Sequence, residues 1–208
     1  MTSRRALMAR VQSGGGRLPA EYQEVEYLNG IGGQYLITDI NAYDISKIII
    51  KSMPTNHDGF LLSTTYGTNY KGINYYIDAA DRYWYYYGPK TKLTQGAYNQ
   101  ISVAVFDVRF ENGIAISSVA TIDGISTPEF FFNQIPIDAL ICLGSANGRY
   151  GFPGRIYESI FYRNAITVGD FVPCYRKSDN KPGMYNTATS TFIVNSGTGD
   201  YGVGPDIN

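Results

Sequence analysis

Short stretches in which hydrophobic and polar residues alternate run through most of the chain, and turn-forming residues separate them. The clearest are residues 34–38, 45–53, 59–66, 73–77, 82–87, 100–110, 113–122, 139–145, 155–163 and 170–176. Alternation with a period of two is typical of strands that bury one face. After residue 20 no long stretch has the helical period of 3.6. The pattern predicts an all-β protein of about a dozen strands.

Two turn signals predict antiparallel hairpins. Glu111-Asn112-Gly113 separates two long predicted strands, and glycine readily takes the positive φ that a tight hairpin turn requires. Asp123-Gly124, at the end of the second of these strands, is a further turn signal. We therefore expect neighbouring strands in the sequence to pair with each other.

Two segments are apolar on both alternating faces, which is typical of strands in the middle of a sheet. Residues 101–106 alternate isoleucine and valine with serine, alanine and phenylalanine, and residues 48–50 are three isoleucines. Many strands with short connections bury more apolar surface as two stacked sheets than as one open sheet. The predicted architecture is an antiparallel two-sheet sandwich.

The first 20 residues differ in composition from the rest. Arg4, Arg5, Arg10 and Arg17 make this stretch basic, and residues 14–16 are all glycine. We predict a leader at 1–20 and one β domain at 21–208. A basic, glycine-jointed leader is either a disordered terminus or a short anchor that orders against a larger assembly. In the second interpretation the four arginines are the anchoring residues.

Charge and hydropathy exclude several classes of partner. Lys and Arg total 17 against 18 Asp and Glu, so no broad positive field exists to attract nucleic acid. No apolar run approaches the roughly 20 residues that span a bilayer, and the opening residues contain no apolar segment of a signal peptide. We expect no nucleic acid partner, no membrane insertion and no Sec-type export.

The two cysteines, Cys142 and Cys174, are predicted to be buried and unpaired, because free cysteine is among the most buried residue types. A disulfide is the alternative, since the sequence does not give the distance between their Cα atoms.

Tyrosine is concentrated in residues 82–87, which read Arg-Tyr-Trp-Tyr-Tyr-Tyr. Strand alternation sends Trp84 and Tyr86 to one face and the other three tyrosines to the opposite face. Such a strand is either a packed aromatic seam between sheets or a platform whose rings stack on sugars. In the second interpretation, the candidate carbohydrate-binding residues are Trp84, Tyr86, Tyr76, Asn69 and Asn74.

A second candidate site is the polar loop at residues 145–151. Its Asn147-Gly148 pair is typical of an ordinary hairpin turn, but loops at the rim of a sandwich often carry function. Arg149 and Tyr150 are its candidate ligand-binding residues.

Both ends of the predicted domain carry distinctive motifs. Residues 18–28 read Leu-Pro-Ala-Glu-Tyr-Gln-Glu-Val-Glu-Tyr-Leu, and Gly33-Gln34-Tyr35 follows. The closing part reads Gly-Arg-Ile-Tyr at 154–157, Asp-Phe-Val-Pro-Cys-Tyr-Arg-Lys-Ser-Asp at 170–179, Gly-Met-Tyr-Asn at 183–186 and Asn-Ser-Gly-Thr-Gly at 195–199. These motifs resemble modules of bacteriophage and prophage proteins of gut bacteria. The resemblance covers residues 18–38 and 150–206. The chain departs from it at Met184-Tyr185-Asn186, where the family often has Leu-Tyr-Asp.

This resemblance implies a concanavalin A-like lectin/glucanase jelly roll, related to laminin-G-like modules and found on phage tails, fibres and prophage surface proteins. It implies glycans of the bacterial surface as ligands, other virion proteins as partners through the leader, a homo-oligomeric assembly and a location in the virion. Laminin-G-like relatives often carry a rim calcium site, for which Asp78 with Asp81 or Asp58 would supply oxygens. The alternative, which we favour, is that the protein has no cofactor.

The closing motif also has a structural interpretation. Pro173 has no N–H to donate, so we expect it at a sheet edge or a bulge. Arg176 and Asp179 are close enough in sequence to pair locally. The expected core contacts come from Phe171, Val172 and Tyr175.

Catalysis is not predicted. Glucanases of this fold need two carboxylates beside the scissile bond and carry them in a Glu-x-Asp-x-x-Glu pattern, which no segment reproduces. The nearest approach, Glu24 and Glu26 after Glu21, lacks the central aspartate and the last glutamate. The single histidine, His57, lies in a turn-like segment without a nucleophile motif, and one histidine with two distant cysteines does not make a zinc site.

The sequence therefore favours a non-catalytic virion component, on a fibre, tail or head, whose lectin-like domain binds host-surface or environmental glycans. A purely structural virion protein that docks through its leader is the alternative, and a glycan hydrolase is the least favoured.

Overall fold

The computed structural model describes residues 17–55, 59–64, 75–77, 83–86, 91–95, 100–111, 114–127, 129–131, 139–144 and 151–208. At residues 44, 75–77, 83–86, 91–95, 110–111, 114–116 and 130–131 it describes only the backbone and its pairing. These residues form two antiparallel sheets with a hydrophobic cluster between them. The predicted two-sheet sandwich is confirmed.

The larger sheet contains twelve of the described strands. They are β1 (Tyr22–Glu24), β2 (Leu28–Ile31), β4 (Lys47–Pro54), β9 (Ser102–Glu111), β10 (Ile114–Ile122), β11 (Ile125–Ser126), β12 (Phe130–Phe131), β14 (Pro153–Arg163), β15 (Ile166–Arg176), β16 (Lys181–Asn186), β17 (Thr191–Val194) and β18 (Gly202–Val203). The main order is β11-β10-β9-β4-β14-β15-β16-β17, while β1 pairs with β15, β12 with β10, β2 with β14, and β18 with β2.

The smaller sheet contains the other six described strands. They are β3 (Leu36–Asn41), β5 (Gly59–Thr64), β6 (Tyr75–Ile77), β7 (Tyr83–Tyr86), β8 (Thr91–Gln95) and β13 (Leu140–Leu143). Their order is β3-β13-β5-β6-β7-β8. A 3₁₀ turn, Ala42–Asp44, links β3 to β4 and is capped by Asn41, whose side chain accepts a hydrogen bond of 2.8 Å from the Tyr43 N–H. This turn carries the chain from one sheet to the other.

The core lies between the sheets and follows the predicted alternation. In β4, Ile48 and Ile50 are fully buried, whereas Lys47, Ile49 and Lys51 on the other face are half-buried. Strand β4 pairs with β14 on one side and with β9 on the other, and β9 also pairs with β10. Both segments predicted as central strands are therefore inside the sheet.

The two predicted hairpins are present as strand pairs. Strands β9 and β10 pair antiparallel with Ile114 opposite Glu111, although the turn residues between them lie outside the described residues. Asp123 and Gly124 have φ values of 51° and 86° and join β10 to β11. Positive φ at both central positions is the hairpin geometry that an Asp-Gly pair accommodates.

The closing motif contributes to the core as predicted, except at its proline. Phe171 and Val172 are fully buried, and Tyr175 packs against the core cluster. The expectation that Pro173 lies at an edge or bulge is wrong, because β15 has neighbours on both sides. The Pro173 carbonyl accepts a hydrogen bond of 3.0 Å from Val25, so its nitrogen faces that same side, where the pairing with β14 has ended and the pairing with β1 begins. No ladder hydrogen bond is required of the nitrogen there.

The expectations for the cysteines and for the Arg176–Asp179 pair are confirmed. Cys142 and Cys174 are both buried and unpaired. The Arg176 guanidinium donates to Asp179 at 3.1 and 2.7 Å. In the described part of the chain, no helix has the length and hydropathy to cross a membrane.

Candidate functional site

The tyrosine-rich strands are neighbours in the smaller sheet. In the pairing of β6 with β7, Tyr75 lies opposite Tyr86 and Tyr76 lies opposite Tyr85. Residues directly opposite each other share a sheet face, so Tyr76 belongs to the opposite face from Trp84 and Tyr86. The register therefore places Tyr75, and not Tyr76, beside the predicted pair. The role of these three candidates in binding stays a prediction.

Several predicted site residues lie outside the described residues. They are Asn69, Asn74, Arg149 and Tyr150 of the ligand-binding set, Arg4, Arg5 and Arg10 of the anchoring set, and Asp58, Asp78 and Asp81 of the calcium alternative. In the part of the chain that the structure describes, no group of three or more His, Cys, Asp or Glu side chains is placed to hold a metal ion.

Arg17, the last predicted anchoring residue, is bound to the domain itself. Its Nε donates to Glu24 at 3.0 Å, and a terminal nitrogen lies 3.3 Å from Glu158. Burial lowers the pKa of Arg17, but the hydrogen bond to Glu24 and the charges of Glu24, Glu158 and Asp170 together outweigh it and hold this pKa above its ordinary value. Burial raises the pKa of Glu158, and the nearby Arg17 charge offsets part of that rise. The same contact engages Glu24, one of the two acids nearest to the glucanase pattern.

A groove opens where the edge strand of the smaller sheet meets the β14–β15 hairpin and the turn after β16. It has a volume of about 340 Å³. It is lined by Asp39 and Ile40 of β3, by Arg163, Thr167 and Val168 at the hairpin, and by Ala188 and Thr189 in the turn. We call it the Asp39 groove. It combines a carboxylate, a guanidinium and hydroxyl groups with a small apolar surface.

Asp39 is the centre of hydrogen bonding at this groove. The Thr189 and Thr191 hydroxyls lie 3.3 and 3.4 Å from its carboxylate and bond each other at 2.7 Å, so one of them donates to Asp39 at a time, and the Asn186 amide donates to Asp39 at 3.5 Å. The bonds to Asp39 are long for hydroxyl and amide donors, and the Asp39 residue is exposed. An exposed acceptor with long internal bonds is able to take a ligand hydroxyl at little cost.

Asn186 positions the turn that brings the threonines to Asp39. Its side-chain oxygen accepts from the backbone N–H groups of Asp170 at 3.0 Å and Ala188 at 3.1 Å, and the residue is fully buried. Ser190 then takes a φ of 59° and reverses the chain into β17. The turn is thus fixed to the core by a buried amide, which fixes its exposed hydroxyls at the groove.

Comparison with known proteins identifies the architecture. No protein-family model matches the chain, and no curated protein matches it. Among solved structures, the native heptameric SAP-like pentraxin from Limulus polyphemus is similar over 88% of this chain and 94% of its own, with 10% identity and a TM-score of 0.52. The fold is a concanavalin A-like jelly roll. This confirms the fold that the sequence resemblance implied.

Two further jelly-roll structures are similar at a lower level. One is the CBM40 of Ruminococcus gnavus IT-sialidase bound to α2,6 sialyllactose, with 20% identity, a TM-score of 0.47 and coverage of 74% of this chain and 96% of its own. The other is domains LG4-5 of the mouse laminin α1 chain, with 11% identity, a TM-score of 0.47 and coverage of 90% of this chain and 49% of its own.

Sequence reasoning missed the Asp39 groove of this jelly roll. Asp39 and Thr189 are 150 residues apart and share no local motif. The one available signal was the run Thr187-Ala188-Thr189-Ser190-Thr191, which is rich in hydroxyl groups. Such a run marks a turn, but it does not indicate which strand the turn will meet.

Proposed function

We propose that this chain is a non-catalytic carbohydrate-binding component of a bacteriophage particle, and that the Asp39 groove contacts the sugar. The observation that carries the proposal is the convergence of the Asp39 carboxylate with the Thr189 and Thr191 hydroxyls at an exposed groove between the two sheets.

The chemistry of the groove suits a sugar. Sugar hydroxyls both donate and accept hydrogen bonds, so they need acceptors such as Asp39, donors such as the Arg163 guanidinium and groups that do both, such as Thr189. The C–H groups of a sugar ring need apolar contact, which Val168 and Ala188 supply beside the polar groups. Because carboxylates and guanidinium groups make strong hydrogen bonds, a few such contacts are enough to orient a ligand.

The placement on a phage particle is supported by the motifs at the two ends of the domain. In this proposal the protein is made in the host cytoplasm, becomes part of the virion and contacts other virion proteins, in a homo-oligomeric assembly, through Arg4, Arg5 and Arg10. Arg17, which is bound to Glu24 and Glu158, holds the end of the leader against the domain. The ligands are glycans of the bacterial surface, and no cofactor is required.

A binding experiment with the full chain tests the proposal. The wild-type protein is applied to a broad glycan array and to whole bacterial cells, beside Asp39→Asn, Thr189→Val and the double variant Trp84→Ala, Tyr86→Ala. Asp200→Asn is the matched control, because Asp200 is also exposed but pairs with Lys181 outside the groove. A hydrogen bond to a charged group contributes about 1.5–3 kcal/mol, so Asp39→Asn is expected to weaken binding about tenfold to a hundredfold.

Each outcome has a distinct meaning. Loss of glycan binding in Asp39→Asn and Thr189→Val, with Asp200→Asn unchanged, supports a site in the Asp39 groove. Loss of glycan binding confined to the Trp84→Ala, Tyr86→Ala variant indicates that the site lies on the tyrosine-rich strands instead. If the folded wild-type protein binds no glycan, the proposal fails and a purely structural virion role is favoured, whereas release of reducing sugar contradicts the non-catalytic assignment.

A further inference from the structure

Two cations on the outer face of the larger sheet lie against tyrosine rings instead of carboxylates. Lys51 Nζ lies 5.2 Å from the centre of the Tyr157 ring, and Arg155 Cζ lies 4.3 Å from the centre of the Tyr27 ring. Among the described residues neither cation has an ion pair. By contrast, Arg17, Lys47, Arg109, Arg176 and Lys181 each pair with a carboxylate.

The pairing of three strands brings these four side chains together. Arg155 of β14 lies opposite Met53 of β4 and opposite Asn29 of β2. The register of β14 with β4 shifts between Ile156 and Glu158, and this bulge allows the Tyr157 side chain to join the outer face. The Tyr27 and Tyr157 rings meet edge to face, with centres 5.4 Å apart. We call Lys51, Tyr157, Tyr27 and Arg155 the cation–tyrosine row.

The row retains hydrogen-bonding capacity that the protein does not use. Arg155 Nε is buried and has no hydrogen-bond partner. A ring face attracts a cation electrostatically, but it does not replace the oxygen acceptors that guanidinium and ammonium N–H groups require. An anionic oxygen placed at the row would supply such acceptors to the Lys51 ammonium and to the terminal nitrogens of Arg155, since the buried Nε itself is out of reach of an external ligand.

The carboxylate next to the row is already engaged. The charge of Lys51 acts on Glu158, but Glu158 lies 3.3 Å from Arg17. Arg17 therefore offsets part of the negative charge beside the row, although it also pairs with Glu24. Glu158 therefore interacts with the charge of Arg17, at the start of the described chain, and with the charge of Lys51 in the cation–tyrosine row.

We propose that the cation–tyrosine row is a second binding site, which takes a carboxylate or sulfate group carried on a sugar. Arg155 makes paired hydrogen bonds to two oxygens of the anion, because its planar fork matches such groups. Lys51 adds a second positive charge from the neighbouring strand. The sugar part of the ligand rests on the proposed function, but the anion site does not share residues with the Asp39 groove.

The test measures binding of the full chain to three probes by calorimetry at low salt. Polygalacturonate carries carboxylates, dextran sulfate carries sulfates, and dextran is neutral. The site variant is Lys51→Met, Arg155→Met. The matched control is Lys47→Met, Lys181→Met, which removes the same net charge from cations that already have carboxylate partners.

The wild-type protein is expected to bind at least one of the two acidic polysaccharides. Its affinity for dextran is expected to be at least tenfold lower than its affinity for that polysaccharide. The site variant loses about tenfold or more in affinity, because it removes two charged hydrogen-bond donors, while the control changes by about twofold or less. Binding of only one acidic probe identifies the anion as carboxylate or sulfate. Equal losses in the site variant and the control, or equal binding of dextran and the acidic probes, would overturn the proposal.

Two further variants test the proposal even if the double variant fails to fold, and they separate binding at the row from binding at the Asp39 groove. Arg155→Lys preserves the charge but not the planar fork, so it is expected to bind more weakly than wild type and more tightly than Arg155→Met, even if the double variant fails to fold. Equal affinity of Arg155→Lys and wild type would overturn the role of the fork. Asp39→Asn is expected to leave acidic binding intact, and loss of acidic binding there would show that the row is not a separate site.

Discussion

The two faces of the larger sheet are formed by the same strands, but they carry different kinds of side chain. On the inner face Ile48, Phe106 and Phe161 lie side by side across three strands and are almost fully buried. On the outer face of the same strands, Lys47 pairs with Asp107, and Lys51 lies against a tyrosine ring. Shape decides which side chains fit the inner face, whereas charge decides what the outer face attracts.

The outer face is itself divided into a covered part and an open part. Near β15 and β16, the Tyr22 ring lies 4.9 Å from the rings of both Tyr185 and Phe192, and Tyr185 is only 7% exposed. Near β9 and β10, Val119 is 37% exposed. Strand β1 therefore covers the sheet near β15 and β16, and Tyr27 covers it at Tyr157, which is also only 7% exposed, whereas the face near β9 and β10 is more open.

The largest expected effect is on the inner face. Phe161→Ala removes a fully buried ring that packs edge to face on Phe171, with centres 5.7 Å apart. Truncating a buried phenylalanine costs about 3–5 kcal/mol through lost apolar burial and the cavity that remains. Urea unfolding followed by circular dichroism measures the change in the free energy of unfolding. Ile49→Ala, on the outer face of β4, is the control and is expected to cost less than half as much; equal losses would abolish the distinction between the faces.

The second prediction concerns the two thiols, one in each sheet. Burial raises the pKa of Cys142 and the pKa of Cys174 from 9.0 to about 12. At pH 8 the thiolate fraction then falls from about one in ten in the unfolded chain to about one in ten thousand in the folded protein. Iodoacetamide labelling read by mass spectrometry is expected to modify neither cysteine in the native protein and both in urea.

The thiols also give a pH dependence. Because each thiol has a higher pKa in the folded state, the unfolded chain loses these protons first as the pH rises. The stability that this difference contributes is complete below about pH 9 and is lost progressively as the pH rises toward 12. In the iodoacetamide experiment described above, rapid labelling of Cys174 alone in the native protein would show that solvent reaches β15 from the outer face.

Local sequence signals were sufficient for the five longest strands of the larger sheet and for every strand of the smaller sheet except β8, but not for the shorter strands or for the long-range pairing. The Asp123-Gly124 turn and the alternation in β4 depend on residues close in sequence, so they could be predicted. Strands β2 and β16 were missed because Gly30 and Gly183 interrupt the apolar alternation. Both glycines are required by packing with distant segments, since a Cβ at Gly30 would lie 2.8 Å from the Phe152 carbonyl oxygen.

The candidate sites were less predictable than the fold for the same reason. The register of β6 with β7, which separates Tyr76 from Trp84, depends on pairing that a one-residue slip would reverse. Lys51 meets Tyr157 only because a bulge in β14 re-aims the tyrosine. Neither a register nor a bulge is visible in the local alternation of either strand.

The third prediction tests how tightly the covered part of the outer face is packed. A Cβ at Gly183 would lie 2.2 Å from the Ile193 carbonyl oxygen and 2.7 Å from the Phe192 ring. Gly183→Ala is therefore expected to cost about 1–3 kcal/mol, the usual cost of overpacking. Gly202→Ala is the matched control, because the nearest atoms to its Cβ would be 3.6 Å away. Thermal melting of both variants measures the difference, and similar melting temperatures would contradict the close packing at β16 and β17.

The smallest expected effect concerns the ion pair between Lys47 and Asp107, in which Lys47 lies on the same strand as Lys51. Lys47 Nζ is 2.9 Å from Asp107 Oδ1, and the two side chains are 41% and 61% exposed. Exposed pairs contribute only about 0.2–1 kcal/mol, because water and salt screen the charges and both side chains lose freedom. A double-mutant cycle with Lys47→Met and Asp107→Asn, measured in urea at low and high salt, gives the coupling energy.

Lys47 and Lys51 are expected to differ in their contribution to stability, because Lys47 pairs with a carboxylate and Lys51 lies against a tyrosine ring. The Lys47–Asp107 coupling is expected to decrease at high salt, because it is a charge pair in water. Lys51→Met is expected to change stability by about 0.5 kcal/mol, since Lys51 has no ion pair with a described carboxylate and its half-buried ammonium gains only about this much from the ring of the buried Tyr157. A loss from Lys51→Met that exceeds the Lys47–Asp107 coupling would mean that the cation–tyrosine row serves stability, and its unpaired cations would then give no reason to expect a ligand there.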